Sequence, residues 1–474
     1  MISRSCLRLG IAALAFAAAP ALAADPNAPT ADARQMGLVW IVPFIGILLS
    51  IAIMPLLMPR LWHHHFGKVA AAWAAVFIVP YAILHGVPAA AYEVLHLMLL
   101  DYIPFIVLLL VLFTVTGGIH IKGNLHGSPS MNTALLGLGT VLAGWMGTTG
   151  ASMLLIRPVM RANDDRRHKV HVFVFFIFLV SNVGGALTPL GDPPLFLGFL
   201  KGVSFFWTTT NLFAEMLLCA IVLLAVFYGI DTYWYRKEGH LKRDPTPDST
   251  IRLEGGLNII LLAAVVGVVL ASGTWNPGVK FTVYHVTLEL QHVARDLALL
   301  GIMALSLKLT PRRVRSDNAF SWGPMLEVAK LFAGIFVTIV PAIAILRAGK
   351  DGAMAPLVAL VTTPDGRPID AWYFWLTGIL SSFLDNAPTY LVFFNLAGGD
   401  ANLLMGTLAS TLAAISCGAV FMGANTYIGN APNFMVKAVV EDGGVRMPSF
   451  FGYMAWSCAI LVPLFVAMTF IFFR

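Results

Sequence analysis

The stretch TPLGDPPLF, Thr188 to Phe196, closes a run apolar enough for a membrane helix, yet it carries an aspartate between a glycine and two prolines. In lipid both features are costly. An ionisable group near the centre of a span costs about 2.5–3.5 kcal/mol on insertion scales. A helix opened by proline exposes amides and carbonyls that only a protein-lined cavity or a ligand can satisfy. A second stretch, TYIGNAPNF, Thr426 to Phe434, repeats the first 238 residues later, keeping Thr, Gly, Pro and Phe in register and replacing Asp192 by Asn430. The match reaches upstream to Gly185-Ala186 and Gly423-Ala424. At the same offset, GTTGAS (147–152) falls on DNAPTY (385–390), and each interrupts a further apolar stretch, 132–156 and 371–397. Such interruptions suit hairpins that enter the membrane and return.

The rest of the chain sets these elements in context. A hydrophobic content of 58% with 11% charged residues and a mean hydropathy of +0.81 excludes an ordinary soluble domain and indicates a polytopic membrane protein. Arg4 and Arg8 precede LGIAALAFAAAPALAA, which ends in the small-residue pattern Ala21-Leu22-Ala23, so residues 1–24 read as a secretory signal peptide. Cys6 belongs to that segment, and Cys219, Cys417 and Cys458 lie in apolar spans without metal-ligand spacing, so no disulfide or zinc framework is indicated. The net charge of +6 comes from basic residues scattered between apolar spans, which points to membrane orientation and not to nucleic acid.

Spanning helices are expected near 37–58, 69–84, 102–119, 170–190, 206–230, 256–272, 295–309, 325–346, 403–424 and 450–473. Starting outside and alternating through these spans puts 19 Lys and Arg residues in cytoplasmic loops and 8 in outer ones, the bias a bacterial inner-membrane protein shows. The span at 102–119 then runs inward and its counterpart at 325–346 outward, so the two halves are inverted. The expected fold is all-α and polytopic, about ten spanning helices plus two re-entrant hairpins in two inverted repeats with unwound helices. Its parts are a periplasmic tail and N-terminal scaffold helices (25–100), a first repeat (101–234), a linker with connecting helices (235–324) and a second repeat (325–474).

Inverted repeats with matching helix breaks are the architecture of secondary transporters, whose ligands bind between the halves near the midplane. Asp192 and Asp385 both sit beside breaks and can hold either Na⁺ or a proton. Oxygen donors available to them are Ser181, Asn182, Thr188, Asn386, Asn425, Thr426 and Asn430, with Thr148, Thr149, Ser152 and Thr389 at the hairpin tips. A sodium site would draw on Asn182, Asp192, Asp385 and Asn425. Asp385 also suits the cap of a hairpin turn. Glu327 and Lys330, three apart, are expected to pair on one helix face. The triplet His63-His64-His65 reads as interfacial loop, and Arg157 as an orientation charge.

SNVGGALTPLGDPP, LDNAPTYLVFF, EVAKLFAGIF and GANTYIGNAPNF together resemble the ion transporter superfamily, most closely its NhaD-type sodium:proton antiporters and the related citrate-transporter family. The resemblance spans nearly all of the mature chain. It implies a homodimer with elevator-like motion, no cofactor beyond the coupling ions Na⁺ and H⁺, and a small inorganic cation or a small organic anion as cargo. An acidic hairpin tip disfavours a free di- or tricarboxylate. A citrate, dicarboxylate or arsenite carrier of the same fold is the rival. An intramembrane aspartyl protease is remoter, because Asn430 stands where a symmetric dyad needs an acid. No HExxH or GxSxG motif offers another hydrolytic route.

Overall fold

The computed structural model describes residue 29, residues 32–238 and residues 249–474. The signal-peptide reading and the middle of the polar linker lie outside the described residues. The helices are α1 Val42–Leu57, α2 Pro59–His85, α3 Val87–Leu97, α4 Ile103–Thr116, α5 Pro129–Met146, α6 Thr148–Ala162, α7 Val170–Leu179, α8 Pro193–Leu200 and α9 Phe213–Glu238. The chain continues with α10 Leu257–Thr274, α11 Leu290–Leu309, α12 Gly323–Arg347, α13 Asp370–Phe383, α14 Asn386–Leu396, α15 Ala409–Met422, α16 Ala431–Asp442 and α17 Phe450–Phe472. Several shorter turns connect them. The protein is all-α and polytopic.

Among the described residues nine helices are long and apolar enough to cross a membrane, and each overlaps one of the ten expected spans. The tenth, expected at 403–424, is a shorter apolar helix over Ala409–Asn425. Asp400 caps a short helix over Ala401–Met405, which stops at Gly406 and delays the start of the longer one. Two small antiparallel ribbons were not foreseen. His120–Asn124 pairs with Ser249–Glu254 of the linker, and Lys280–Val283 with Val286–Glu289.

Both helix breaks are present. After α7 the chain turns at Val180–Asn182, makes a 3-10 turn over Val183–Leu187, runs extended at Thr188 and re-enters a helix at Pro193. After α15 it makes a 3-10 turn over Gly423–Asn425, runs extended at Thr426 and re-enters at Ala431. Proline in the first turn of α8 and of α16 sits where its missing N–H is harmless and its fixed φ starts a helix. The two interrupted stretches are helix pairs. Gly147 at φ 82° joins α5 to α6, a backbone conformation that favours glycine, and Leu384-Asp385 joins α13 to α14.

The repeat extends to individual hydrogen bonds. The Thr188 hydroxyl donates to the carbonyl of Gly144, and 238 residues on, the Thr426 hydroxyl donates to the carbonyl of Ser382. The same hydroxyls accept from the amides of Leu190 and Ile428. Gly191 folds back on Gly185 as Gly429 does on Gly423, so closely that a Cβ on Gly191 would collide with the Gly185 carbonyl and one on Gly429 would lie 2.6 Å from the Gly423 oxygen. Gly191→Ala is therefore expected to cost about 1–3 kcal/mol through overpacking against backbone that cannot yield. A lowered thermal midpoint in detergent would register it, and an unchanged midpoint would contradict the fit.

The helices form two apolar cores. One gathers α5, α6, α7, α9, α13, α15 and α17, and the other α1, α2, α3, α4, α10, α11 and α12. The short helices α8 and α14 divide their side chains between them: Leu195 and Phe393 pack in the first core, and Phe196, Leu197, Ala387 and Leu391 in the second. Glu327 and Lys330 do not meet each other. Both turn to α2, Glu327 bonding Trp62 and Lys330 lying over the Phe66 ring at 5.5 Å. The His63–His65 triplet lies inside α2, not in a loop, because Pro59 at the first position starts the helix ahead of it.

Candidate functional site

The breaks and the hairpin turns meet at Asp192. Its side chain is the N-cap of α8 yet makes no cap bond, and turns away from its own helix. Thr148, at the first hairpin tip, donates its hydroxyl to Asp192 Oδ1 at 2.9 Å. Asn430, at the second break, donates Nδ2 to the same oxygen at 3.2 Å. Asn386, at the second hairpin tip, donates Nδ2 to Oδ2 at 2.5 Å. Three elements thus hold a carboxylate carried by a fourth, and it is 1% exposed. The amides and hydroxyl compensate the burial that would otherwise exclude a charged group.

Behind this contact lies a second layer. Asn182 Nδ2 donates to the Ile177 carbonyl, freed by the end of α7, and to Asn433 Oδ1 at 2.7 Å. Asn433 Nδ2 donates to the carbonyls of Gly423 and Thr426, freed by the second break. Asn430 Nδ2 also reaches the Ser181 carbonyl and Asn182 Oδ1. Ser152 and Ser181 bond each other at 2.8 Å. These groups answer the question posed by opening a helix in lipid: side chains of one break satisfy the backbone of both.

Asp192 opens on a cavity of ≈ 110 Å³, enough for an ion with several waters. Its polar lining comes from Thr148, Thr149, Asp192, Asp385, Asn386 and Asn430, and its apolar wall from α4 and α12, including Leu108, Leu112, Met325 and Phe332. It therefore sits between the two cores. Asp385 is half-buried, caps α14 through the Ala387 amide at 3.1 Å and keeps a face on the cavity. Asn386 Oδ1 is buried with no hydrogen-bond partner, an acceptor left open beside the acid.

Of the residues singled out from sequence, six line the cavity and the others stand back from it. Ser152, Ser181, Asn182 and Thr188 brace the first break. Thr426 braces the second, and Asn425 bonds Ser382 and Ser457 away from the cavity. Thr389 bonds the Asp385 carbonyl within its own helix. Asn433 and Ser382 were missed. Ser381-Ser382 aligns at the offset of 238 with Ala143-Gly144, so only the alignment of a hydroxyl with a glycine marked it.

Four helix N-termini face this space, those of α6, α8, α14 and α16. Each carries roughly half a positive charge. Together they amount to about +2, which offsets the two carboxylates. Among the described residues no lysine, arginine or histidine lines the cavity. Any net charge it accepts is therefore set by whether the two acids carry protons.

A family model described as "Putative citrate transport" matches residues 33–473, nearly the whole chain. The chain belongs to the citrate-transport family. Two proteins named as uncharacterized transporters, one from Mycobacterium bovis and one from Mycobacterium tuberculosis, are each 26% identical to this citrate-transport family member over 336 residues, covering 67% of this chain and 71% of theirs. The match takes in both hairpins and both breaks. It makes the protein a membrane transporter and fits a site shared between two repeats.

Proposed function

We infer that the protein is a secondary active transporter of the bacterial inner membrane that exchanges sodium for protons at Asp192 and Asp385. The observation carrying this reading is the composition of the cavity: two carboxylates, the open Asn386 Oδ1 and, among the described residues, no side-chain cation. Sodium prefers oxygen ligands of this kind. All three partners of Asp192 give it hydrogen, so binding a cation calls for lone pairs from the same groups. Rotation of the Asn386 amide exchanges its nitrogen for its oxygen and turns a donor into a ligand. Thr148 can likewise rotate its proton away and offer a lone pair. A proton on the carboxylate removes the charge that holds the cation, so one ion excludes the other and exchange follows.

A second reading has its own support. With both acids protonated, the four N-termini leave the cavity positive, which suits the carboxylates of the citrate for which the family is described. With both acids ionised, citrate would need a bound cation to neutralise it. Purified protein in liposomes containing a pH dye separates the two readings. Sodium added outside is expected to move protons at once, without citrate. A pH response to citrate alone would overturn the antiport reading in favour of proton-coupled citrate transport.

A further inference from the structure

Two short helices carry the site and end on charged partners in the other core. Helix α8 starts beside Asp192 and ends at Leu200, with Lys201 as its C-cap. Lys201 Nζ lies 2.5 Å from Asp101 Oδ1, with the two side chains 19% and 10% exposed. Asp101 sits in a π-helical turn, Met98–Tyr102, between α3 and α4, where the Ile103 amide bonds back to the Met98 carbonyl. Such turns insert an extra residue, re-aim the side chains around them and recur at functional sites. Helix α14 starts beside Asp385 and carries Asn395 in its last turn, where Oδ1 accepts from Arg347 Nε at the end of α12 at 2.7 Å. Gly202, next to Lys201, lies against Ala401, and Gly399, two residues before Ala401, lies against Arg347, so both contacts lie at one end of the molecule.

Stability alone does not account for a charged pair at this place. A buried ion pair set in an apolar surface is often no more stabilising than well-packed apolar side chains. What it provides is a contact with two defined states, made or broken, across the boundary between the cores. Helices of eight and eleven residues span about 12 and 16 Å at 1.5 Å per residue, and act as short rods. A displacement of either far end therefore reaches Asp192 or Asp385.

We propose that Asp101–Lys201 and Arg347–Asn395 form a latch that fastens the site-bearing helices to α3, α4 and α12 in the conformation described, and that releases when the site changes the side of the membrane it faces. The proposal rests on the transporter reading, in that a carrier must present its site to the two sides in turn. Breaking the latch frees the first core to populate other positions against the second.

Pulsed electron paramagnetic resonance on the full chain in nanodiscs tests this without any cargo. Spin labels are placed on cysteines replacing Arg313, which is 75% exposed beyond α11, and Asp442, exposed at the end of α16, with the exposed Cys458 replaced by serine. The intact latch is expected to give one dominant distance. Asp101→Asn and Lys201→Met should each raise the minor distances at least fivefold, and the exchange Asp101→Lys with Lys201→Asp should restore the original distribution. Unchanged distributions in both single variants would overturn the latch, as would an exchange no better than either of them. Should the single variants fail to fold, the exchange variant decides: the original distribution supports the latch and a broadened one overturns it. Absence of sodium-driven proton flux in liposomes bears on the exchange reading alone.

Discussion

Asp192→Asn is expected to weaken sodium binding by about 100- to 4,000-fold and to abolish sodium-driven proton flux. The substitution keeps the shape of the side chain and removes its charge. In the place of a carboxylate accepting from Thr148, Asn430 and Asn386, it puts an amide that must itself donate into a set of donors. Removing one partner from a buried charge contact costs about 3–5 kcal/mol, and each 1.4 kcal/mol is a factor of ten in affinity. Asp385, half-buried and bonded to a single amide, should matter less, with about a tenfold loss for Asp385→Asn. The repeat supplies a sharper form of the test. Asp192 and Asn430 are 238 residues apart and face each other across the pseudo-symmetric centre. Exchanging them, Asp192→Asn with Asn430→Asp, returns the carboxylate to the same space from the other half. Most of the binding should come back. Recovery would be measured by radioactive sodium retained on purified protein. A double variant as inactive as Asp192→Asn would tie the acid to its position in α8.

Asp231→Ala is expected to destabilise the fold by about 3–5 kcal/mol, more than other charge deletions outside the site. Asp231 Oδ1 lies 2.6 Å from Arg166 Nη2 and 2.7 Å from His171 Nε2, and Oδ2 accepts from Asn132 Nδ2 at 3.0 Å. The Asp231 and Arg166 side chains are 0% exposed. Asn132 in turn exchanges hydrogen bonds with Asn163. The cluster ties the open end of the first hairpin, the start of α7 and α9 into one unit, and alanine would leave the buried guanidinium with only the more distant carboxylate of Glu238, 3.8 Å away. Glu254→Ala is the contrasting control. Its partner Lys122 is 2.7 Å away, but both side chains are about 30% exposed, and such pairs contribute about 0–1 kcal/mol. Thermal unfolding followed by size-exclusion in detergent should separate the two variants widely. Equal midpoints would mean that the buried cluster does not hold the hairpin.

The sequence made the breaks legible because glycine and proline leave few conformations open. Thr188–Pro194 and Thr426–Pro432 had to leave the helix, and the common offset of 238 tied each to a hairpin turn. The convergence on Asp192 followed from those breaks, since acids and amides beside them have only one another to bond. Other features were hidden for physical reasons. Asn433 lies inside a helix, and its role in binding carbonyls of the second break appears only once that break is folded. Arg166 looked like one of many orientation charges, and nothing in the run around Asp231 signals that they meet. In the second repeat, position 370 is an aspartate bonded by Thr411, and Thr469, at the position matching Asp231, accepts from Trp375. The amide of Asn132 is thus matched by an acid at 370 and the acid of Asp231 by a hydroxyl at 469, so comparing the halves could not expose the cluster. Glu327 and Lys330 show the converse. Their spacing suits a pair, but each turns to a partner on α2 instead.

Equilibrium binding of radioactive sodium to the purified protein over a series of pH values tests the assignment of the cavity most directly. The account predicts one sodium ion per chain, displaced as protons are added and absent in Asp192→Asn. Sodium retained equally by the wild type and by Asp192→Asn, or bound without regard to pH, would contradict it.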